Sequence, residues 1–166
     1  MITIRLYTPE DAICTGQLIA DVYEKFNLDY LPKLERGPYL GPFLYAYSEQ
    51  EHHKAAIASI LKAQMMWVAV NSNNEIVGIL RGSPQRLHSL FVREDHHGIG
   101  IGRMLTETFE QACRELGSTK ITLAASLYAV PFYQRLGYKK STGQRKGYSF
   151  NGAGFPFQPM KKILSN

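Results

Sequence analysis

Residues 87–116, LHSLFVREDHHGIGIGRMLTETFEQACREL, restrict the possible folds more than any other part of the chain. An apolar run from Leu87 to Val92 passes through a charged turn into Gly98-Ile99-Gly100-Ile101-Gly102, and a helical pattern begins at once. Strand, glycine loop and helix in that order make an anion site. The glycines let the backbone curl with its N–H groups converging, and those groups are also the unpaired donors at the positive end of a helix. A diphosphate is the expected guest.

Spacing narrows the choice of diphosphate. A Walker loop ends in Gly-Lys-Ser/Thr, but Gly102 is followed by Arg103 and Met104, so the lysine and the magnesium hydroxyl are missing. A dinucleotide fingerprint needs a third glycine three residues after the second. That position holds Arg103 counted from Gly100, or Leu105 counted from Gly102. His97-Gly98-Ile99-Gly100-Ile101-Gly102 instead resembles the [Arg/Gln]-x-x-Gly-x-Gly pattern of the GNAT superfamily of N-acetyltransferases, with His97, still an N–H donor, in the first place. A second stretch, Ser126 to Tyr138, resembles the family's Asn-x-x-Ala-x-x-Phe-Tyr-x-Lys-x-Gly-Phe. Here Ser126 replaces Asn, Arg135 replaces Lys and Tyr138 replaces Phe, while Ala129, Phe132, Tyr133 and Gly137 match.

The order of predicted elements fits the same resemblance. Ile2, Ile4 and Leu6 alternate with polar residues as a strand, and Thr8-Pro9-Glu10-Asp11 opens a helix that ends near Phe26. An irregular segment rich in aromatics, Pro and Gly runs from Asn27 to Tyr47. Ser48-Glu49-Gln50-Glu51 reads as a capping box for a second helix with Ile57, Ile60 and Leu61 on its buried face. Met66–Val70 and Glu75–Leu80 form a hairpin, and Leu87–Val92 is the fourth strand. The helix after the loop buries Ile101, Leu105, Phe109, Ala112 and Leu116 and stops at Gly117. Lys120–Ala125 is the fifth strand, Tyr128–Leu136 a short helix, and Tyr138 and Lys139 open a further strand. After a polar, glycine-rich turn region, Gln158–Leu164 is the last strand, with Pro159 pointing to an edge or strand start. The expectation is an α+β chain with residues 1–166 as a single N-acetyltransferase domain. Its mixed sheet of about six or seven strands, with about four helices, would be splayed between the fourth and fifth strands, as the resemblance implies.

The resemblance also assigns roles. Acetyl-CoA is the implied co-substrate, with no metal, and the reaction is direct transfer of acetyl to a primary amine. Main-chain N–H groups at Leu90, Phe91 and Val92 would hold the thioester carbonyl or the pantetheine amides. The pyrophosphate would take the N–H groups of His97, Gly98, Ile99, Gly100, Ile101, Gly102 and Arg103, with charge from Arg103 and His97. Ser126, Ala129, Phe132 and Tyr133 are further implied cofactor contacts. Tyr133 matches the tyrosine that protonates the departing thiolate, and His88 stands near where relatives place a base. His52, His53 and His96 are weaker candidates for the base, and an ordered water is the alternative. Tyr30, Tyr39 and Phe43, with Phe155 from the tail, are the implied walls on the acceptor side.

Composition excludes a few classes. A chain 45% hydrophobic with a net charge of +5 can build a core. It has no apolar run long enough to span a membrane and no Lys/Arg block marking a nucleic-acid surface, so neither partner is expected. The start, MITIRLYTPEDA, lacks the pattern of a signal peptide, and the expected location is the cytoplasm. Cys14 and Cys113 have no neighbouring ligand partners and read as reduced thiols. The acceptor stays open between a small molecule and a peptide. A homodimer is implied only by resemblance, and a non-catalytic acyl-CoA sensor of the same fold is the alternative function.

Overall fold

The computed structural model describes residues 1–150 and 152–165. Strand β1 (Thr3–Leu6) lies at one edge, where Ile4 is half-buried and Leu6 is exposed. A helical turn at Pro9–Asp11 follows, with the Thr8 N–H donating to Asp11 Oδ2 at 2.8 Å. It runs into α1 (Ala12–Val22), which continues as a wider π-type turn through Tyr23–Asn27. The aromatic segment is more ordered than its Pro and Gly content predicts. It winds through short turns at Lys33–Glu35 and Gly41–Tyr45 and the brief α2 (Gly37–Leu40).

Helix α3 (Glu51–Leu61) starts without the predicted capping box. The Ser48 hydroxyl accepts from the Gln50 N–H at 3.1 Å and sits 2.7 Å from His53 Nδ1, which leaves Gln50 at the cap position. Strands β2 (Met65–Val70), β3 (Ile76–Ser83) and β4 (Arg86–Val92) form an antiparallel meander. Helix α4 (Ile101–Glu115) buries Ile101, Leu105, Phe109 and Cys113. Leu116, expected inside, is exposed because the helix stops one residue earlier. Gly117 at φ +82° reverses the chain, donating to Arg114 O while Ser118 donates to Cys113 O, which satisfies the last carbonyls.

Strand β5 (Lys120–Ser126) leads to α5 (Val130–Arg135), which ends in the same motif at Gly137, φ +93°. The predicted turn region after β6 (Lys139–Lys140) instead forms β7 (Arg145–Ser149) and the first half of a long β8 (Gly152–Ile163). The sheet therefore has eight strands, in the order β1-β2-β3-β4-β5-β8-β6 with β7 also on β8. Pro159 lies inside this sheet, not at an edge. It occupies the gap between the β7 and β6 pairings along β8, where its missing N–H breaks no ladder bond. Apolar side chains fill both faces. α1, α3 and the aromatic turns cover one, and α4 and α5 the other.

Strands β4 and β5 are parallel and pair only at Arg86↔Thr122 and Leu87↔Leu123, then part as β4 runs on to Val92 and β5 to Ser126. That opening is the expected splay. On its other edge β4 slips register against β3: Arg81 faces Ser89 and Gly82 faces Leu87, so His88 is an extra, bulged residue.

Candidate active site

The glycine loop closes one end of the opening. Gly98 and Gly100 adopt φ of +77° and +90°, the left-handed region where a side chain costs energy, and an added Cβ on either would meet nothing within 4 Å. Gly102, in the first turn of α4, has a different reason. Its Cβ would lie 3.0 Å from the Phe132 ring, so glycine lets α5 pack against the start of α4.

The main-chain N–H groups of Gly98 through Arg103 find no acceptor among the described residues, and the next, Met104, already donates to Gly100 O at 3.0 Å. Six consecutive free donors at the positive end of a fifteen-residue helix form a strong anion receptor. His97 departs from the expectation. Its N–H donates to Glu94 O, its Nε2 lies 2.6 Å from Val92 O, and its ring packs 5.1 Å from Phe26. It braces the loop, and its N–H is not among the free donors. The Arg103 side chain is exposed and pairs loosely with Glu107 at 3.7 Å.

Arg93 donates its N–H to Val77 O on β3. Because successive strand residues point their amides to opposite neighbours, the Phe91 N–H also faces β3, whereas those of Leu90 and Val92 face the opening. Phe91 is therefore removed from the expected trio. Its buried ring packs 6.0 Å from Tyr23 on the far side of the sheet.

Two clefts meet at this opening. The first, about 340 Å³, is lined by Leu90, Val92, the glycine loop, Arg103, Phe132 and Arg135. The second, about 390 Å³, is lined by Arg86, His88, Ser126, Tyr148, Phe155 and Phe157. Both include Leu90, Tyr128, Ala129 and Tyr133, so these four stand at the junction. Tyr133 is 6% exposed, and its hydroxyl has no hydrogen-bond partner among the described residues. Burial first, and the neighbouring Tyr128 second, raise its pKa above the ordinary tyrosine value. Tyr128 is itself pushed up to about 12 by burial and then by Asp29. His88 is shifted the other way, below 6.5, by desolvation and by the charges of Arg81 and Arg86.

The four residues expected on the acceptor side are not gathered in one place. Phe155 lines the second cleft, but Tyr30, Tyr39 and Phe43 do not. Phe43 is 2% exposed in the core against Phe150, Tyr39 packs on the same core, and Tyr30 reaches the site only as a partner of the Phe155 ring at 6.4 Å. The walls come instead from Tyr23, Tyr148, Phe150, Phe155 and Phe157. Among the weaker histidines, His52 and His53 lie in the first turn of α3, where His53 stacks on Tyr45 and meets the His52 ring at a tilt, and His96 pairs with Asp95.

Asn27, which the sequence places at the start of an irregular segment, is brought to the junction by the π-type turn that ends α1. Its Nδ2 donates to Ser126 Oγ at 2.5 Å, and Tyr128 Oη approaches its Oδ1 at 3.4 Å. Thus where the family motif has Asn and this chain has Ser126, an amide side chain arrives from ninety-nine residues away. The extra residue of a π turn re-aims a side chain, a signal that no sequence period carries.

Comparison with known proteins agrees with this geometry. The chain is 35% identical over 83 residues to the peptidyl-lysine N-acetyltransferase YjaB of Escherichia coli, an alignment covering 50% of this chain and 55% of that protein. It is 35% identical over 92 residues to N-acetyltransferase 8F1 of Rattus norvegicus, covering 48% and 41%. The chain thus spans about half the length of the curated relatives it matches. Among solved structures, a GCN5-related N-acetyltransferase from Rhodopseudomonas palustris superposes with a TM-score of 0.79 at 23% identity, covering 98% of this chain and 95% of that one. The PaiA N-acetyltransferase from Thermoplasma acidophilum, solved with coenzyme A, gives 0.70 at 16% identity, with 99% of each chain covered. At those identities the likeness shows the fold alone. The model of the acetyltransferase (GNAT) domain, however, matches residues 40–164, from the aromatic turns to the last strand, and the chain belongs to that family.

Proposed function

We propose that residues 1–166 form one acetyl-CoA-dependent N-acetyltransferase domain that passes the acetyl group directly to a primary amine of a small-molecule or peptide acceptor. The observation that carries this reading is the run of six unpartnered N–H groups at the start of α4, opening onto a cleft that leads between β4 and β5 to Tyr133. A pyrophosphate suits the donors, and an extended amide-bearing arm suits the opening, where Leu90 and Val92 offer N–H groups with no strand beside them. Arg103 and Arg135 add positive charge along the same cleft. That the PaiA structure contains coenzyme A and that YjaB is named a peptidyl-lysine N-acetyltransferase supports the same donor and an amine acceptor.

The chemistry needs three things from the chain. The thioester oxygen gains charge as the amine adds to its carbon, and the Leu90 or Val92 N–H is placed to donate to it. The amine must shed a proton, and His88, held neutral at pH 7 by its lowered pKa, takes it directly or through one water. As the carbon–sulfur bond breaks, its electron pair goes to sulfur, which takes the Tyr133 proton. A tyrosine with a raised pKa is a weak acid in water. In the dry junction, however, the same desolvation penalises a bare thiolate, so both partners shift together. No residue is acylated, in keeping with direct transfer.

The test is thermal unfolding with and without acetyl-CoA, followed by thiol release over a panel of primary amines. Stabilisation by acetyl-CoA together with amine-dependent thiol release is the expected outcome. No stabilisation refutes the cofactor assignment. Stabilisation without thiol release from any amine refutes the enzyme and leaves a sensor.

A further inference from the structure

Charge along this chain is segregated. All 14 acidic residues precede Leu116, and after it there are eight Lys and Arg and no Asp or Glu. Arg135 faces the cofactor-side cleft, and Lys162 is held on the α4 side by Glu110 at 2.8 Å. Most of the remainder converge on one surface.

The strand register shows how. Arg86 on β4 lies opposite Thr122 on β5, Thr122 opposite Lys161 on β8, and Lys161 opposite Lys139 on β6. Directly opposed residues share a face, so these four form one row across four strands, about 14 Å from end to end. Lys120, two residues before Thr122, and Arg145, opposite Phe157, lie on the same face. This is the side that α1 covers over β3 and β4; beyond β4 only the short α2 reaches β8 among the described helices, with Leu40 in the same core as Phe155, and all five cations are exposed. None has a carboxylate within ion-pair distance among the described residues. The row runs straight into the acceptor-side cleft, where Arg86 is a wall residue and Tyr148, 82% exposed, stands at the rim.

We propose that this open basic face docks the acidic flank of a polypeptide acceptor whose amine enters the cleft beside His88 and Tyr133. The proposal rests on the acetyltransferase reading. A small amine filling a cleft of about 390 Å³ does not reach Lys139, three strands away, so the face is useful only to an extended acceptor. A nucleic acid would meet the cations, but the exocyclic amino groups of its bases are delocalised into the rings and are poor nucleophiles for a thioester. An unflanked lysine peptide would be repelled. Aspartates and glutamates beside the acceptor lysine convert that repulsion into attraction and steer the encounter. The same field favours the neutral, reactive form of the incoming amine.

The experiment compares two peptides with one lysine each, flanked by Asp and Glu in one and by Arg in the other. Parent and Lys139→Glu/Lys161→Glu proteins are assayed, with the acetyl-CoA-dependent melting shift measured in parallel. In the parent, KM for the acidic peptide should be about tenfold lower, the product of two or three exposed ion contacts each worth a factor of about two to five. That advantage should shrink in about 0.3 M salt and disappear in the double variant, while the melting shift stays the same. The salt series on the parent carries the test without any substitution. Equal KM values, or a preference for the basic peptide, overturn the proposal. So does a melting shift with neither peptide acetylated, which leaves cofactor binding standing. Loss of the shift in the parent removes the acetyltransferase reading and the proposal with it. A single-stranded oligonucleotide that binds this face and is not displaced by the acidic peptide overturns it in favour of nucleic acid.

Discussion

Gly100→Asp isolates the anion receptor from the stability of the fold. Gly100 caps α4 with φ +90° and ψ 4°, and its Cβ would project into space empty to 4 Å, so the substitution meets no neighbour. The left-handed backbone costs an aspartate about 1 kcal/mol, less than most residues because Asp is enriched there. A carboxylate at a helix N-terminus returns about 0.5–1 kcal/mol. The apo protein should therefore stay within about 1 kcal/mol of the parent. Ligand binding should not survive, because the new carboxylate competes for the free N–H groups and repels phosphate. At 4 Å in a surface dielectric that repulsion is about 4 kcal/mol per charge pair, enough to raise Kd by about three orders of magnitude. With acetyl-CoA at about 100 times the parent Kd, the parent gains about 2.7 kcal/mol, a shift of roughly 5–10 °C for a chain of this size. The variant at the same concentration gains less than about 0.5 kcal/mol. Scanning fluorimetry reads both, and Gly100→Asn supplies an uncharged control with the same backbone tolerance. A folded Gly100→Asp protein that keeps the full shift would refute the placement of phosphate at this loop.

Three further outcomes follow from named groups. Tyr133→Phe removes a hydroxyl that holds no partner among the described residues, so stability and the acetyl-CoA shift should be unchanged while turnover falls about a hundredfold or more; normal turnover sinks the acid role. For His88, whose pKa is depressed, the neutral base is present above that pKa. The parent's kcat/KM should fall as pH drops through a value below 6.5, and His88→Gln should be slower and lack that limb; an unchanged profile moves the base to another group. Asp11, 9% exposed at its side chain, is held below its ordinary pKa by the Arg5 hydrogen bond, against opposing desolvation. Its contribution is complete above the unfolded value near 3.8 and is lost as pH falls through the lower folded value. Asp11→Asn should cost about 1–2 kcal/mol at pH 7 in urea titrations, with the gap to the parent narrowing toward pH 3; a constant gap would contradict the assignment.

The glycine loop was legible because the main chain builds it. A receptor made of N–H groups leaves its trace as glycines, and Gly98, Gly100 and Gly102 are required by two positive φ values and one close ring contact. Only His97 misled. The Glu94 carbonyl in the preceding turn takes its N–H, and turn hydrogen bonds leave little mark in the letters. The hairpin of β7 and β8 was hidden for a related reason. Gly147 reads as a breaker, yet it pairs with Phe155 in the β7–β8 ladder and is glycine because the Phe157 ring lies 2.9 Å from where a Cβ would be. The aromatic run of residues 30–47 and the aromatic tail gave no way to tell core from cleft, since Phe43 and Phe155 are equally apolar and only tertiary placement makes one a core residue and the other a cleft wall.

This difference separates two parts of one mechanism. The glycine loop draws on one continuous stretch of backbone, so its shape survives large changes in side chains. The second cleft, which we propose takes the acceptor, draws Tyr23, Arg86, His88, Ser126, Tyr148 and Phe155 from five separate segments, and each can change without disturbing the glycine loop. A family match over residues 40–164 therefore bears most directly on how the acyl donor is held, whereas the acceptor must be read from the charges and walls of this chain's own sheet. That places the weight on Lys139, Lys161 and Arg86, which lie outside both family motifs and form a row on the open sheet that ends at the cleft holding His88.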